Sequence, residues 1–419
     1  MSEAPSPTAT IADQLAPVDL PGRIESLDVL RGFAVLGILL VNIQFFAMID
    51  PAYVNPTVFG DFTGINFAVW LFTHLFGDMK FITIFSMLFG AGIVLMCRRV
   101  EQRGHSPAGI HYRRSFWLLL LGLMHAYLLW RGDVLVWYSF SAFIAYLFWR
   151  VRPGWLLFWA LLLFSIGTGI YGLAQWSFPH WPEQAVEANA QYWQPSAEMI
   201  AARLQTYRGS WVDQMSERVP SSLMVQTFYY LIFGFWRIAG SILLGMAMMK
   251  WGVFSARKSN GFYIVMMVVG SVIGLTLIGF GASQNLAHQF SQDYSMFGGG
   301  LYNYWGSLFL ALAYVSIIML ICKKDCLGRL RNWFGSTGRM AFSSYILQSL
   351  ICTILFYGHG FGLIGKVPRW GQLAITVGVL IVVVAVANFW LARFRFGPLE
   401  WLWRSLTYKK RQPLRITAG

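Results

Sequence analysis

Ten apolar runs of helical length constrain this chain more than any other feature. A helix rises 1.5 Å per residue, so about 20 apolar residues cross a hydrocarbon core of roughly 30 Å. The runs lie at about 29–49, 79–97, 115–130, 134–149, 155–176, 224–249, 261–282, 301–322, 340–357 and 371–392. With 57% hydrophobic and 12% charged residues, the composition is not that of a soluble domain. The sequence predicts an all-α, polytopic membrane helix bundle with about ten transmembrane helices.

Basic residues concentrate in every second connection between the runs, as they do in residues 98–114, 150–152, 250–258 and 323–331. Because such connections remain in the cytoplasm, this pattern places both the N- and C-termini there. The net charge of +14 is spread over short loops rather than gathered on one domain. We therefore expect the lipid bilayer, and not nucleic acid, as the partner of these charges.

The same patterns divide the chain into three parts. Residues 1–22 are rich in Pro, Ala, Ser and Thr and lack a signal peptide, which predicts a disordered cytoplasmic tail. Residues 23–408 form a single transmembrane domain, and 409–419 form a basic cytoplasmic tail. A long outer-side loop at about 177–221 carries aromatic and charged residues typical of short amphipathic helices. This loop is either a lid over an acceptor or a plain surface loop.

Polar side chains within the apolar runs are candidates for function, because they are costly in lipid. Asp28 and Arg31 share one helix face at the start of the first run, and Asn42 lies about three turns deeper. Arg237 lies near the middle of the sixth run, where an arginine costs about 2.5–3.5 kcal/mol on insertion scales. We expect it to face a cavity or a carboxylate, in either a functional or a structural role.

Two histidines are candidates for acid–base chemistry. His125 precedes Asp133 near the outer boundary, and a carboxylate that orients an imidazole fixes its tautomer. His74 is the rival, four residues before Asp78. Either histidine can also be a packed, hydrogen-bonded residue without catalytic function. The sequence contains no Gly-x-Ser-x-Gly turn, phosphate loop or metal-ligand cluster, so we expect no hydrolase, ATPase or metal chemistry.

Arginines on the cytoplasmic side suit a phosphorylated donor, because guanidinium groups bind phosphate in a bidentate manner. The candidates are Arg31, Arg331, Arg339, Arg395 and Arg404. The positive-inside pattern alone also accounts for basic residues at these positions.

Five motifs together resemble the YeiB-like family of bacterial multi-pass membrane proteins, the domain of unknown function 418. They are RIESLDVLRGFAVLGILLVNI at 23–43, KFITIFSMLFGAG at 80–92, LGLMHAYLLWRGDVL at 121–135, GRMAFSSYILQSLICTILFY at 338–357 and FGPLEWLWRSLTY at 396–408. The resemblance implies a multi-pass protein of the bacterial inner membrane. His125 and Asp133 belong to the matching pattern, so we rank His125 above His74.

The first motif is also distantly similar to transmembrane acyltransferases such as heparan-alpha-glucosaminide N-acetyltransferase. That similarity implies transfer of an acyl group from cytoplasmic acyl-CoA or acetyl-CoA to a hydroxyl or amine outside. It carries over to Asp28, Arg31, Gly32, Asn42 and Asp78. The acetyltransferase's catalytic histidine follows its first helix in an outer loop, where this chain has none before His74.

The sequence thus favours a transmembrane acyltransferase that transfers to an outer-side sugar or lipid acceptor. His125, oriented by Asp133, would deprotonate the acceptor, and Asn42 or Arg237 would stabilise the oxyanion. The alternatives are a secondary transporter or lipid or small-molecule exporter with a midplane site, and a non-catalytic scaffold or sensor. Small-residue helix faces permit a homodimer.

Overall fold

The first apolar run forms helix α1 (Glu25–Ala47), which lies in the interior of the bundle. The computed structural model describes residues 23–416, so the predicted tail at 1–22 lies outside the described residues. The apolar window of α1 is 61% buried within the protein, whereas the helices that begin at Pro153, Asn260 and Arg369 are only 22% buried. These three helices therefore lie at the periphery, where apolar surface would face lipid.

The described chain contains 18 α-helices. They are α1 Glu25–Ala47, α2 Pro51–Val54, α3 Gly64–Phe76, α4 Lys80–Gln102, α5 Ala108–Met124, α6 Leu135–Ala145, α7 Pro153–Ser177, α8 Glu183–Trp193, α9 Ala197–Arg208, α10 Met215–Met224, α11 Phe235–Lys250, α12 Asn260–Ala287, α13 Gln292–Ser295, α14 Leu301–Lys323, α15 Gly328–Arg339, α16 Ala341–Phe356, α17 Arg369–Leu391 and α18 Pro398–Tyr408. Two π-helical stretches, His125–Leu129 and Val225–Gly234, continue α5 and α10. Short helices in the predicted outer segment are present as α8 to α10.

Seven helical segments of the described chain are long and apolar enough to cross a membrane, or eight if one bent pair counts as a span. They are Glu25–Ala47, Gly64–Gln102, Pro153–His180, Met215–Lys250, Asn260–Ala287, Gly298–Lys323 and Arg369–Leu391. The predicted helical membrane bundle is confirmed, with fewer regular spans than the ten expected. The cytoplasmic placement of both termini stays a prediction.

The missing spans are apolar runs that the structure interrupts. Helix α6 has 11 residues, about 16 Å of helix, and remains shorter than a span even with the 3-10 turn Tyr146–Phe148 that continues it. Helices α15 and α16 meet at an angle of 86°, so the run at 340–357 is half of a broken helix. The run at 115–130 changes from α-helix to π-helix at His125.

Glycines allow the central helices to touch through their backbones. A Cβ on Gly338 of α15 would lie 1.8 Å from the carbonyl oxygen of Asp28 on α1. A Cβ on Gly245 of α11 would lie 1.9 Å from the carbonyl oxygen of Met87 on α4. Small residues permit this packing between membrane helices. We call the end of the bundle where α1 begins the arginine face, and the end where α1 finishes the opposite face.

Candidate functional site

His125 and Asp133 form a buried pair. His125 Nδ1 donates to Asp133 Oδ1 at 2.7 Å, and the backbone N–H of Val136 donates to Asp133 Oδ2 at 2.9 Å. The two side chains are 2% and 0% exposed. Because Nδ1 carries the proton in this contact, Nε2 is an acceptor, and it has no hydrogen-bond partner among the described residues. An oriented imidazole with a free Nε2 is suited to act as a general base.

The π-helix at His125–Leu129 brings the pair together. It ends where the backbone N–H of Trp130 donates to the carbonyl of His125 at 2.8 Å. The chain then turns back through residues 130–134, which places Asp133 beside the imidazole. Single π-helical turns occur often at functional sites because they shift side chains out of the regular α-helical register.

A cavity of about 180 Å³ lies between α1, α4, α5, α6, α15, α16 and α18. One set of its lining residues is charged: Arg23, Arg31, Arg114, Arg339, Glu400 and Arg404. The other set is mainly apolar and includes Val35, Ile38, Phe85, Leu135, Tyr138 and Tyr345. The volume is enough for about a dozen water molecules. Along α1 the cavity extends from Arg31 to Ile38, a rise of about 10 Å.

The five arginines give the cavity a positively charged mouth. Arg31 and Arg23 share Asp28, with N–O distances of 2.8 and 3.6 Å. Arg114, Arg339 and Arg404 form no ion pair within residues 23–416. The guanidinium of Arg114 instead lies 4.5 Å from the ring centre of Trp403. Burial lowers the pKa of Arg404 to about 10, so this residue remains cationic at pH 7.

Glu400, the acidic residue in the cavity wall, is already bonded to protein groups. Its carboxylate accepts from the backbone N–H of Phe342 at 2.7 Å and from the hydroxyl of Ser343 at 2.6 Å. These bonds cap the first turn of α16 beside the 86° bend. Burial raises the pKa of Glu400. The backbone N–H groups at the start of α16 thus already have a partner in the protein. The positive charge of the mouth therefore comes from the arginines.

Tyr345 connects the cavity to the buried pair. Its side chain lines the cavity, and its ring centre lies 5.2 Å from that of His125. Val134 and Leu135, which directly follow Asp133, also line the cavity. The cavity therefore begins among arginines at the arginine face and ends next to His125.

The structure separates the predicted donor-binding residues into two groups. Arg31, Arg339 and Arg404 line the cavity, and Asp28 holds Arg31 in place. Arg331 and Arg395 are not part of the lining, and Arg331 pairs with Glu25 and Asp325 instead. For these two residues, a role in donor binding stays a prediction.

Neither predicted oxyanion donor lines the cavity. Asn42 is half-buried on α1. Arg237 is buried and donates to the hydroxyls of Thr83 and Ser307 at 2.7 and 2.9 Å, and to the backbone carbonyl of Tyr304. Arg237 forms no ion pair with a carboxylate within residues 23–416. Neutral oxygens accept from its two terminal nitrogens, whereas its Nε has no partner in that range, and a functional role for Arg237 stays a prediction.

His74 and Asp78 belong to a separate polar cluster at the break between α3 and α4. His74 Nδ1 lies 3.4 Å from Asp78 Oδ2, which also accepts from Asn303 Nδ2 at 2.8 Å. The buried Lys80 donates to the backbone carbonyl of His74 at 2.6 Å and to Asn303 Oδ1 at 3.0 Å. Tyr53 also donates to Asp78. These bonds join the ends of α3 and α4, and none of these five residues lines the cavity.

Comparisons with known proteins place the chain in a family. The uncharacterized protein YxaH of Bacillus subtilis (strain 168) is 33% identical over 94% of this chain and 96% of its own length. The uncharacterized protein YeiB of Escherichia coli (strain K12) is 31% identical over 93% of this chain and 98% of its own length. A family model described as "Protein of unknown function (DUF418)" matches residues 248–410. The chain belongs to the DUF418 family. The DUF418 match includes Tyr345, Glu400 and Arg404, whereas His125 and Asp133 precede it.

Sequence reasoning missed several groups of this site. The charge pattern identifies Arg114 only as a loop charge, and it assigns no role to Arg23, Tyr345 or Glu400. The one available signal was that Tyr345 and Glu400 stand within the motifs at 338–357 and 396–408. No group of three or more His, Cys, Asp or Glu side chains that could hold a metal ion occurs within residues 23–416.

Proposed function

We propose that this protein is a transmembrane acyltransferase of the bacterial inner membrane. It would move an acyl group from cytoplasmic acyl-CoA, such as acetyl-CoA, to an acceptor on the outer side. One observation carries the proposal: a single cavity joins a cluster of arginines to the neighbourhood of a histidine whose Nε2 is free.

The arginine mouth suits the phosphates of CoA. Arginine forms bidentate, charge-assisted bonds with phosphate oxygens, and Arg114, Arg339 and Arg404 have no competing ion pair within the described chain. The apolar inner part of the cavity suits the uncharged arm that carries the thioester. A donor bound in this way would direct its thioester towards Tyr345.

His125 would act as the general base. Its Nε2 would take the proton of an acceptor hydroxyl or amine as that group attacks the thioester carbonyl. Asp133 would hold the imidazole in the required tautomer and stabilise the imidazolium that forms, as the carboxylate does in other catalytic triads. The proton would then pass to the sulfur of the departing CoA.

Calorimetric binding of acetyl-CoA and longer acyl-CoAs to detergent-purified protein tests the proposal. We expect Arg339→Ala and Arg404→Ala each to weaken binding roughly 10- to 100-fold, since a hydrogen bond to a charged group contributes about 1.5–3 kcal/mol. Arg329→Ala is the matched control, because Arg329 is an exposed cation on the same helix as Arg339 and does not line the cavity. The absence of acyl-CoA binding, or an equal loss in the Arg329 variant, would contradict the proposal.

A second candidate function is a secondary transporter or a lipid or small-molecule exporter. The broken helix α15–α16 favours it, because transporters often form their substrate sites at discontinuous helices. Saturable counterflow of a solute in proteoliposomes, without chemical change to that solute, would support this function over acyl transfer.

A further inference from the structure

A layer of buried polar atoms lies next to His125 and is not part of the cavity lining. It is formed by Asp50, Trp130, Arg131 and Tyr207, which we call the opposite layer. Trp130 Nε1, Arg131 Nε and the Tyr207 hydroxyl are buried and have no hydrogen-bond partner among the described residues. The free Nε2 of His125 is a fourth such atom. Within the described residues 13 buried side-chain atoms have no hydrogen-bond partner, and these four lie in adjoining residues. Because native proteins pair most of their buried polar atoms, this clustering points to a shared ligand.

The members of the opposite layer adjoin one another and the catalytic histidine. The ring centre of Trp130 lies 6.2 Å from that of His125 and 4.2 Å from that of Phe46, near the end of α1. The guanidinium carbon of Arg131 lies 5.7 Å from the ring centre of Tyr207, and Arg131 pairs with Asp50. The layer is therefore continuous from His125 to the outer segment that contributes Tyr207.

The outer segment is fastened over this layer. Its side chains bind the carbonyls of the π-helix at His125–Leu129: Ser222 donates to the carbonyl of Ala126 at 3.0 Å, and Trp211 and Arg218 donate to that of Leu128 at 2.8 and 3.1 Å. The backbone carbonyl of Tyr207 also accepts from the N–H of Gly358 at 2.9 Å. These bonds fix the position of Tyr207 relative to His125.

The donor and acceptor types in the layer identify the class of ligand. Trp130 Nε1 and Arg131 Nε only donate, Asp50 and His125 Nε2 accept, and the Tyr207 hydroxyl does both. Asp50 would repel an anionic ligand, and Arg131 would repel a cationic one. A neutral hydroxyl group donates and accepts, so it satisfies both kinds of atom. The rings of Trp130 and Tyr207 form the apolar border of the layer, where they pack against Phe46 and Tyr357.

We propose that the opposite layer binds a neutral, polyhydroxylated acceptor such as a sugar ring and presents one hydroxyl to His125 Nε2. The transfer step rests on the proposed function. The hydroxyl oxygen forms a bond to the acyl carbonyl carbon as the carbon–sulfur bond of the thioester breaks. The hydroxyl proton goes to Nε2 and then to the thiolate, which leaves as the CoA thiol.

Binding can be measured without any acyl transfer, by saturation-transfer NMR on the full-length protein in detergent. The probes are the methyl glycosides of glucose, galactose, mannose and N-acetylglucosamine, with inorganic phosphate and choline as charged comparators. Tyr207→Phe removes only the unpaired hydroxyl. The control Tyr263→Phe removes a buried hydroxyl that donates to the backbone carbonyl of Val253 at 2.7 Å, outside the layer. We expect saturable binding of at least one glycoside, roughly threefold to tenfold weaker in Tyr207→Phe and unchanged in Tyr263→Phe.

The result that would overturn the sugar site is binding of none of the glycosides, or binding of phosphate or choline alone. Equal glycoside affinity in the native protein and the Tyr207 variant would also overturn it. Calorimetry with acetyl-CoA on the same samples keeps the two proposals distinct. Glycoside binding without acyl-CoA binding would support the sugar site and refute the acyltransferase. Acyl-CoA binding without glycoside binding would refute only the sugar site.

Discussion

Replacing Gly338 by alanine should separate α1 from α15 and weaken the arginine mouth. The new Cβ would lie 1.8 Å from the carbonyl oxygen of Asp28, whereas a carbon–oxygen contact requires at least about 3.3 Å. The two backbones must therefore move apart by about 1.5 Å, and neither can rotate away as a side chain would. Overpacking of this kind costs about 1–3 kcal/mol, and we expect the upper end because both atoms in conflict belong to rigid helices.

Gly335→Ala is the matched control for this substitution. Gly335 lies on the same helix, but its added Cβ would meet only a side-chain atom of Val29 at 3.8 Å, which is ordinary contact. The control should gain up to about 1 kcal/mol from the higher helix propensity of alanine. For a chain of this length, about 1 kcal/mol corresponds to roughly 1 °C in Tm.

The assay is thermal unfolding of both detergent-purified variants, followed by intrinsic tryptophan fluorescence. We expect the Gly338 variant to melt about 3–4 °C below the Gly335 variant, from the energies above. We also expect its affinity for acetyl-CoA to fall, because Arg31 and Arg339 lie on the two helices that separate. Equal Tm values and equal affinities would refute the close backbone contact from which this reasoning starts.

Three further predictions concern the chemistry, the buried arginine and the charge of the mouth. Asp133→Asn should lower the rate of radiolabelled acetyl transfer at least 100-fold, because an amide no longer stabilises the imidazolium of His125, while acetyl-CoA affinity measured by calorimetry stays unchanged. Arg237→Met should lower Tm by a few degrees, since three oxygens lose their donor at about 1–3 kcal/mol each, yet leave acetyl-CoA affinity unchanged. Raising the salt concentration from about 0.05 M to about 0.5 M should weaken acetyl-CoA binding several-fold in calorimetry, since salt screens the arginines of the mouth; salt-independent binding would argue against a phosphate contact.

The membrane class of the fold was predictable because lipid demands long apolar runs, and hydropathy records them directly. The number of regular spans was not predictable in the same way. Apolar sequence at 134–149 and 340–357 is equally compatible with a spanning helix and with a short helix buried among others. The buried turn at 130–134 directly precedes Leu135–Ala145. Glu400, which is distant in sequence, caps the helix that begins after the 86° bend.

The candidate site was predictable in its parts but not in its assembly. The spacing of eight residues between His125 and Asp133 allowed contact or none, and the π-helix that decides the matter has no periodicity to reveal it. Arg237 is a functional candidate in the sequence because a charge in a membrane run is costly, but in the structure its two terminal nitrogens donate to neutral oxygens of α4 and α14. The sequence does not distinguish Arg331 from Arg339, because both lie on α15. The packing of α15 against α1 places Arg339, and not Arg331, at the cavity.

The position of His125 bears on how an acyl group would cross the membrane. Along α1, Arg31 marks the mouth of the cavity, and Phe46 marks the opposite layer about 22 Å further on. His125 contacts both regions, through Tyr345 on one side and Trp130 on the other. A donor bound at the arginines and an acceptor bound at the opposite layer would therefore meet at one imidazole without exchanging sides. On this arrangement acyl transfer needs no alternating access, so locking the bundle with a cross-link should stop a transporter and spare the transferase.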